Sequence, residues 1–163
     1  MLQILFRNVL SFYNYLIVKY VLFFILAALK ATQHVAFYAL LTSTITGQNR
    51  RIVFNEVKLN AGSAYNPHQG IFMAPTNGTY QLTVSACSTA EHYVALDIHI
   101  NAVVYDSLLA GSPRYNDCNS KTVLVSLKQN DAVYIKHENI GDYLLASSHE
   151  GYPSFGGVLL YAE

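Results

Sequence analysis

The spacing of large apolar and small residues between Phe54 and Val84 constrains the fold of this chain more than any other feature. Phe54 is followed after five residues by Asn60, after four more by Tyr65, after six by Phe72 and after five by Gly78. Tyr80, Leu82, Val84 and Ala86 then alternate with Thr79, Gln81, Thr83 and Ser85, the period of a half-buried strand. Val94, Leu96, Ile98 and Ile100 repeat the pattern and predict a strand with Asp97 and His99 facing solvent. Val123, Val125 and Leu127, then Val133 and Ile135, predict two more strands with one core face each. Short strands separated by turn residues every ten or so positions are the pattern of an all-β sandwich or barrel.

Taken together, the Phe54 to Val84 ladder resembles the signature of the complement C1q globular-head family. More loosely, the likeness extends from Ala36 to Glu163. It implies a jelly-roll β-sandwich of two antiparallel sheets, residues 35–163, working as a trimeric extracellular recognition domain without catalysis. Phe155 to Tyr161 is apolar on both faces, so this strand should be covered on both sides, one of them by the core and the other by a loop or a neighbouring chain. In the family the last strand lies centrally in its sheet near the subunit contact, and Phe37, Ala39 and Leu41 suggest its partner strand. Many relatives carry a collagen-like stalk. This chain has no Gly-X-Y stretch, so it reads as a head without one.

Turn chemistry agrees with hairpins. Asn77-Gly78 can take the left-handed conformations of a tight turn, and Asn130 stands where the family usually has Gly. Asn101-Ala102 is less comfortable, because Ala at positive φ costs about 1 kcal/mol; a longer or differently built turn is expected there.

Ahead of the β-rich region, residues 1–34 hold the apolar run Tyr20 to Leu29, preceded by Lys19, with the small residues Ala27, Ala28 and Ala31 at and just past its end. This fits the hydrophobic region and cleavage site of a secretory signal. Apolar residues from Phe12 to Val18 extend it to about 20 residues if Lys19 is tolerated, which fits an uncleaved anchor. An interfacial helix or a misplaced start is a third reading. All of these readings send residues 35–163 out of the cytosol, and the membrane is a partner only if the segment is uncleaved.

Charge excludes one class of partner. Ten basic and ten acidic side chains give a formal net charge of zero with no basic run beyond Arg50-Arg51, which is not the footprint of a nucleic-acid binder. Apolar residues make up 52% of the chain and charged ones 12%, about half the usual share of roughly 25%, so self-association is physically easy.

Catalytic motifs are lacking. His137-Glu138 and His149-Glu150 do not have HExxH spacing, and no GxSxG elbow, phosphate loop or dinucleotide glycine pattern occurs. Binding is then a matter for loops. Glu138, Asn139, Asp142 and Tyr143 in one predicted loop, with His149 and Tyr152 in the next, offer carboxylates, an amide and rings suited to sugar hydroxyls and apolar sugar faces.

The resemblance adds three expectations. It makes the strands of Cys87 and Cys118 antiparallel neighbours, so a disulfide is expected in an oxidising compartment, with two separate thiols as the alternative. Asp117 stands near the segment from which some relatives supply calcium ligands, and calcium is the one cofactor implied. Asn77-Gly78-Thr79 is an N-glycosylation sequon, although Asn77 is equally explained by its turn. Expected partners are two further copies of the chain and a glycan or microbial surface ligand. A signalling ligand for a protein receptor and a secreted matrix component are the alternative roles.

Overall fold

The computed structural model describes residues 2–30, 34–147, 149 and 151–163, and within these not the side chains of 2–10, 26–30 and 140. The chain divides into two units, Met1–Gln33 and His34–Glu163. The first holds one helix, α1 (Leu2–Lys30), whose described large apolar side chains from Phe12 to Ile25 are mostly exposed. Among the described residues, no helix is long and apolar enough to cross a membrane. The expected cleavage-site side chains Ala27, Ala28 and Ala31 lie outside the described residues, as do Ser148 and Glu150 of the second candidate loop.

The second unit is an all-β sandwich. Its first sheet orders β10 (Asp117–Leu127), β7 (Gly78–Ser88), β13 (Ser154–Ala162), β1 (Ala36–Leu40) and β4 (Glu56–Ala61). The second orders β5 (Tyr65–Asn66), β6 (Ile71–Met73), β11 (Ala132–Gly141), β8 (Tyr93–Ile100) and β9 (Val103–Gly111), with β3 (Arg50–Arg51) pairing β11. A short ribbon joins β2 (Ile45–Thr46) to β12 (Tyr143–Leu144). Every pairing is antiparallel, and the last strand, β13, runs between β7 and β1 in the middle of its sheet.

The Phe54 to Tyr80 ladder has a physical basis in this core. Asn60 bonds the backbone of Tyr65 twice, Nδ2 donating to its carbonyl at 2.8 Å and Oδ1 accepting from its N–H at 3.1 Å. Tyr65 then donates its hydroxyl to the Phe54 carbonyl, and Tyr80 donates its own to Thr76. Phe37 stacks on Tyr65 and Phe72 at 5.0 and 4.8 Å and meets Phe155 edge-on, so one aromatic cluster ties both sheets together. Such pairs add about 0.5–1.5 kcal/mol each beyond the area they bury.

Several expectations are corrected. Asn101 and Ala102 form a plain two-residue turn between β8 and β9, with φ of 50° and 70°; the connection is not longer, and Ala102 carries the strain. Asn101 anchors it by donating Nδ2 to Asp131 and accepting from the Ala132 N–H. Asn130 does adopt positive φ, but neither Asn77 nor Gly78 does. Gly78 instead makes room, since a Cβ there would sit 2.5 Å from the Tyr161 carbonyl oxygen. Strand β10 starts at Asp117, well ahead of Val123, where the hydrophobic alternation begins, because polar Asn119, Ser120 and Lys121 continue the ladder against β7. His99 is not solvent-facing: it is only 6% exposed, because Tyr134 and Glu138 of the adjacent strand lie over the outer face of β8.

Candidate functional site

The end of β11 is the local feature that builds the site. Between His137, opposite Leu96, and Gly141, opposite Val94, β11 spends four residues where β8 spends two. This bulge throws Glu138, Asn139 and Ile140 out of register, so the predicted loop of Glu138 to Tyr143 is a distorted strand end followed by β12. Gly141 closes the bulge at φ 81°, where a Cβ would lie 2.2 Å from the Tyr93 carbonyl oxygen; only glycine fits.

That closure brings Asp142 and Tyr143 against the β7–β8 turn. Asp142 Oδ1 lies 3.0 Å from His92 Nδ1, and the His92 ring is 5.2 Å from that of Tyr143. Two adjoining open depressions of about 470 and 380 Å³ share Glu91, His92 and Tyr93 as a common wall. One continues to Ser112 and Pro113 of the β9–β10 connection. The other continues to Gln48, whose Nε2 donates to the Gly141 carbonyl at 2.6 Å, and to Asp142. This groove offers two carboxylates, an amide, an imidazole and the exposed ring of Tyr93. The set can hydrogen-bond hydroxyls and cover an apolar ring face, and contains no nucleophile paired with a base.

The residues expected at the site are therefore divided. Asp142 lines the groove and Tyr143 packs on its wall, whereas Glu138 turns the other way, toward β8. Asn139 is exposed on the bulge. His149 and Tyr152 belong to the segment around the Ser147–Gly151 bridge, and neither lines the groove. Glu91, His92, Tyr93 and Gln48 are the groove residues that sequence reasoning missed. Their only signal is a polar turn between two strands.

Asp117 Oδ2 accepts from the Gly111 N–H at 2.9 Å, closing the connection by which the chain passes from β9 to β10, and Asn116 Oδ1 accepts from the Ala90 N–H, tying that connection to the β7–β8 turn. Cys87 and Cys118 are register partners on β7 and β10 and are joined by a disulfide. Asn77 is exposed, with its Oδ1 accepting from the Gln129 N–H.

One grouping among the described residues can hold a metal ion: Asp97, His99 and Glu138, whose ligand atoms all lie within 4.8 Å of one another. The Lys136 ammonium, 2.8 Å from Glu138 Oε1, holds that carboxyl below its usual range, and His99 adds to the effect.

Comparison with known proteins agrees with this architecture. The family model for the C1q domain matches residues 36–160. Among curated proteins, the chain is 30% identical over 112 residues to the heavy metal-binding protein HIP of Mytilus edulis, covering 65% of this chain. It spans about half of that relative, 52%. Among solved structures, the globular domain of zebrafish complement 1qA protein superposes with a TM-score of 0.63 at 22% identity, covering 79% of this chain and 99% of that one. The Eiger TNF of S. frugiperda gives 0.61 at 13% identity, over 81% and 96% of the two chains. Murine APRIL gives 0.60 at 14% identity, over 78% and 99%. These three likenesses speak for the fold.

Proposed function

Because the chain belongs to the C1q-domain family, whose members are non-catalytic recognition domains, we propose that residues 35–163 act as an extracellular homotrimeric head binding glycans or other microbial surface ligands. The observation that carries the reading is apolar surface left uncovered on the single protomer. The outer face of the first sheet exposes Tyr38, Leu59, Val158 and Leu160. Leu124 of β10 continues that face, since it shares the register partner Gln81 with Val158, and β9 exposes Val103, Val104 and Tyr105, whose hydroxyl reaches the Leu124 carbonyl across the sandwich edge. Two different surfaces of this kind suit a head-to-tail contact, which closes into a ring when the rotation fits.

Within such a trimer, three copies of the Glu91–His92–Asp142 groove would face a repetitive target. Weak single-site binding is then multiplied by avidity. Residues 1–34 act, in this reading, as the export or anchoring segment, and Asn77 carries the glycan of its sequon. Calcium through Asp117 is the weaker element, because one carboxylate oxygen is already committed to Gly111 and most donors would have to come from neighbouring copies.

A glycan array, run with and without chelator, tests the reading. His92→Ala and Asp142→Ala should each weaken sugar binding about tenfold or more while leaving assembly unchanged, as expected for hydrogen bonds to charged groups. Capture of a protein receptor with no sugar binding would favour the signalling alternative. Neither would favour the matrix role.

A second reading, divalent-metal binding, is supported by the Asp97–His99–Glu138 grouping and by the likeness to the heavy metal-binding protein of Mytilus edulis.

A further inference from the structure

Strand alternation puts Asp97 and His99 on the same face of β8, and the β11 bulge leans Glu138 over them. His99 Nε2 lies 3.3 Å from Glu138 Oε1. The imidazole is more than nine-tenths buried, stacked at 5.0 Å on Tyr134, whose ring in turn carries the Arg51 guanidinium at 4.4 Å. The other ring nitrogen, Nδ1, is buried with no hydrogen-bond partner among the described residues, a condition that an apolar residue at this position would avoid. Asp97 is held from outside: Ser107 donates its hydroxyl to Asp97 Oδ1 at 2.5 Å.

We propose that Asp97, His99 and Glu138 form a binding site for a divalent metal ion of the zinc class, and that the Lys136 ammonium occupies the site's negative charge when the ion is absent. This deepens the metal-binding reading above, on which it rests, and is independent of the trimeric recognition role. One imidazole nitrogen and two carboxylate oxygens, completed by water, are the donor set of a four-coordinate zinc centre. Bonds of about 2.0–2.2 Å in a tetrahedron put donors about 3.3–3.6 Å apart. The 3.3 Å His99–Glu138 separation already meets that, and the rest needs only side-chain adjustment within the 4.8 Å cluster. Calcium asks for six to eight oxygens and gains little from a nitrogen donor. The Ser107 hydroxyl supplies the outer-shell contact that orients a ligating carboxylate.

Lys136 gives the proposal a distinctive signature. Its Nζ lies 2.8 Å from the same Glu138 oxygen that faces His99, so an incoming ion must displace it. Removing Lys136 should therefore tighten metal binding, the opposite of what loss of a purely structural ion pair would do.

The test is titration of the full chain with Zn²⁺ by calorimetry and competition with a chromogenic chelator, with Cd²⁺ and Ca²⁺ as comparison ions and circular dichroism as the control for folding. Expected are one Zn²⁺ per chain, displacement by Cd²⁺, indifference to excess Ca²⁺, a loss of about tenfold or more in His99→Gln and in the half-exposed Asp97→Asn, and a severalfold gain in Lys136→Met. Absence of Zn²⁺ binding by the parent protein would overturn both the site and the metal-binding reading. Binding that persists unchanged in Asp97→Asn and in folded His99→Gln would overturn the site alone, and a Lys136→Met variant that binds more weakly would overturn the competing-cation role.

Discussion

Tyr65 shows how much one side chain carries. It is almost completely buried, held by Asn60, stacked on Phe37 and bonded through its hydroxyl to the Phe54 carbonyl. Burial pushes its phenol up to about 12, against a smaller opposing effect of the Phe54 bond. The unfolded phenol ionises near 10, so this contribution to stability is constant below that pH and is lost as pH rises from about 10 to about 12, by up to about 1.4 kcal/mol per pH unit. Tyr65→Phe should cost about 1 kcal/mol at neutral pH and flatten the alkaline fall. Urea midpoints measured at neutral pH and above pH 10 check both; an alkaline slope equal to the parent's would contradict the assignment. The role of Tyr65 as core is legible in the sequence, because the ladder fixes its distance from Phe54 and Asn60. His99 is not legible: alternation tells which face a residue occupies, but its cover, Tyr134 and Glu138, comes from a strand some forty residues away.

Among the elements, the β8–β9 hairpin has an evident flaw and the last strand an evident constraint. Ala102 sits at φ 70°, where a Cβ is strained, so Ala102→Gly should raise stability by roughly 0.5 to 1 kcal/mol, read as a higher urea midpoint with unchanged slope. A lower midpoint would mean that the turn tolerates alanine for reasons outside its backbone. Gly157 of β13 is the reverse case. A Cβ there would lie 2.7 Å from both Leu82 Cδ2 and Phe37 Cε1, and the Phe37 ring, held between Tyr65, Phe72 and Phe155, has nowhere to retreat. Gly157→Ala should therefore cost about 1–3 kcal/mol in the same assay, and a neutral result would place β13 further from the core than described here. Strands with clean alternation, β7 and β8 above all, are legible from sequence. The β11 bulge is not, since two extra residues leave no mark on a hydrophobic pattern that has already ended at Ile135. With the bulge unforeseen, Glu138 and Asp142 read as one surface. In the folded chain they face different neighbours, Asp142 meeting His92 and Glu138 meeting His99.

At the scale of the whole molecule, the low charge content and the apolar outer face of the first sheet have one explanation in common. Val158 and Leu160 on β13, with Tyr38 and Leu59 beside them, form a surface that a monomer would leave in water, and contiguous patches of this kind mark interaction sites. The expectation that β13 is covered on both sides follows from sequence; within one protomer its core side is covered, whereas on the other side Tyr38 covers Gly156 and leaves Val158 and Leu160 exposed, the face that the proposed trimer would bury. Sedimentation equilibrium of the purified protein tests this most directly. The parent should sediment at three times its chain mass, and Val158→Asp or Leu124→Asp should reduce it to one while the circular dichroism spectrum stays unchanged. A parent protein that sediments as a single folded chain even when concentrated would contradict the account.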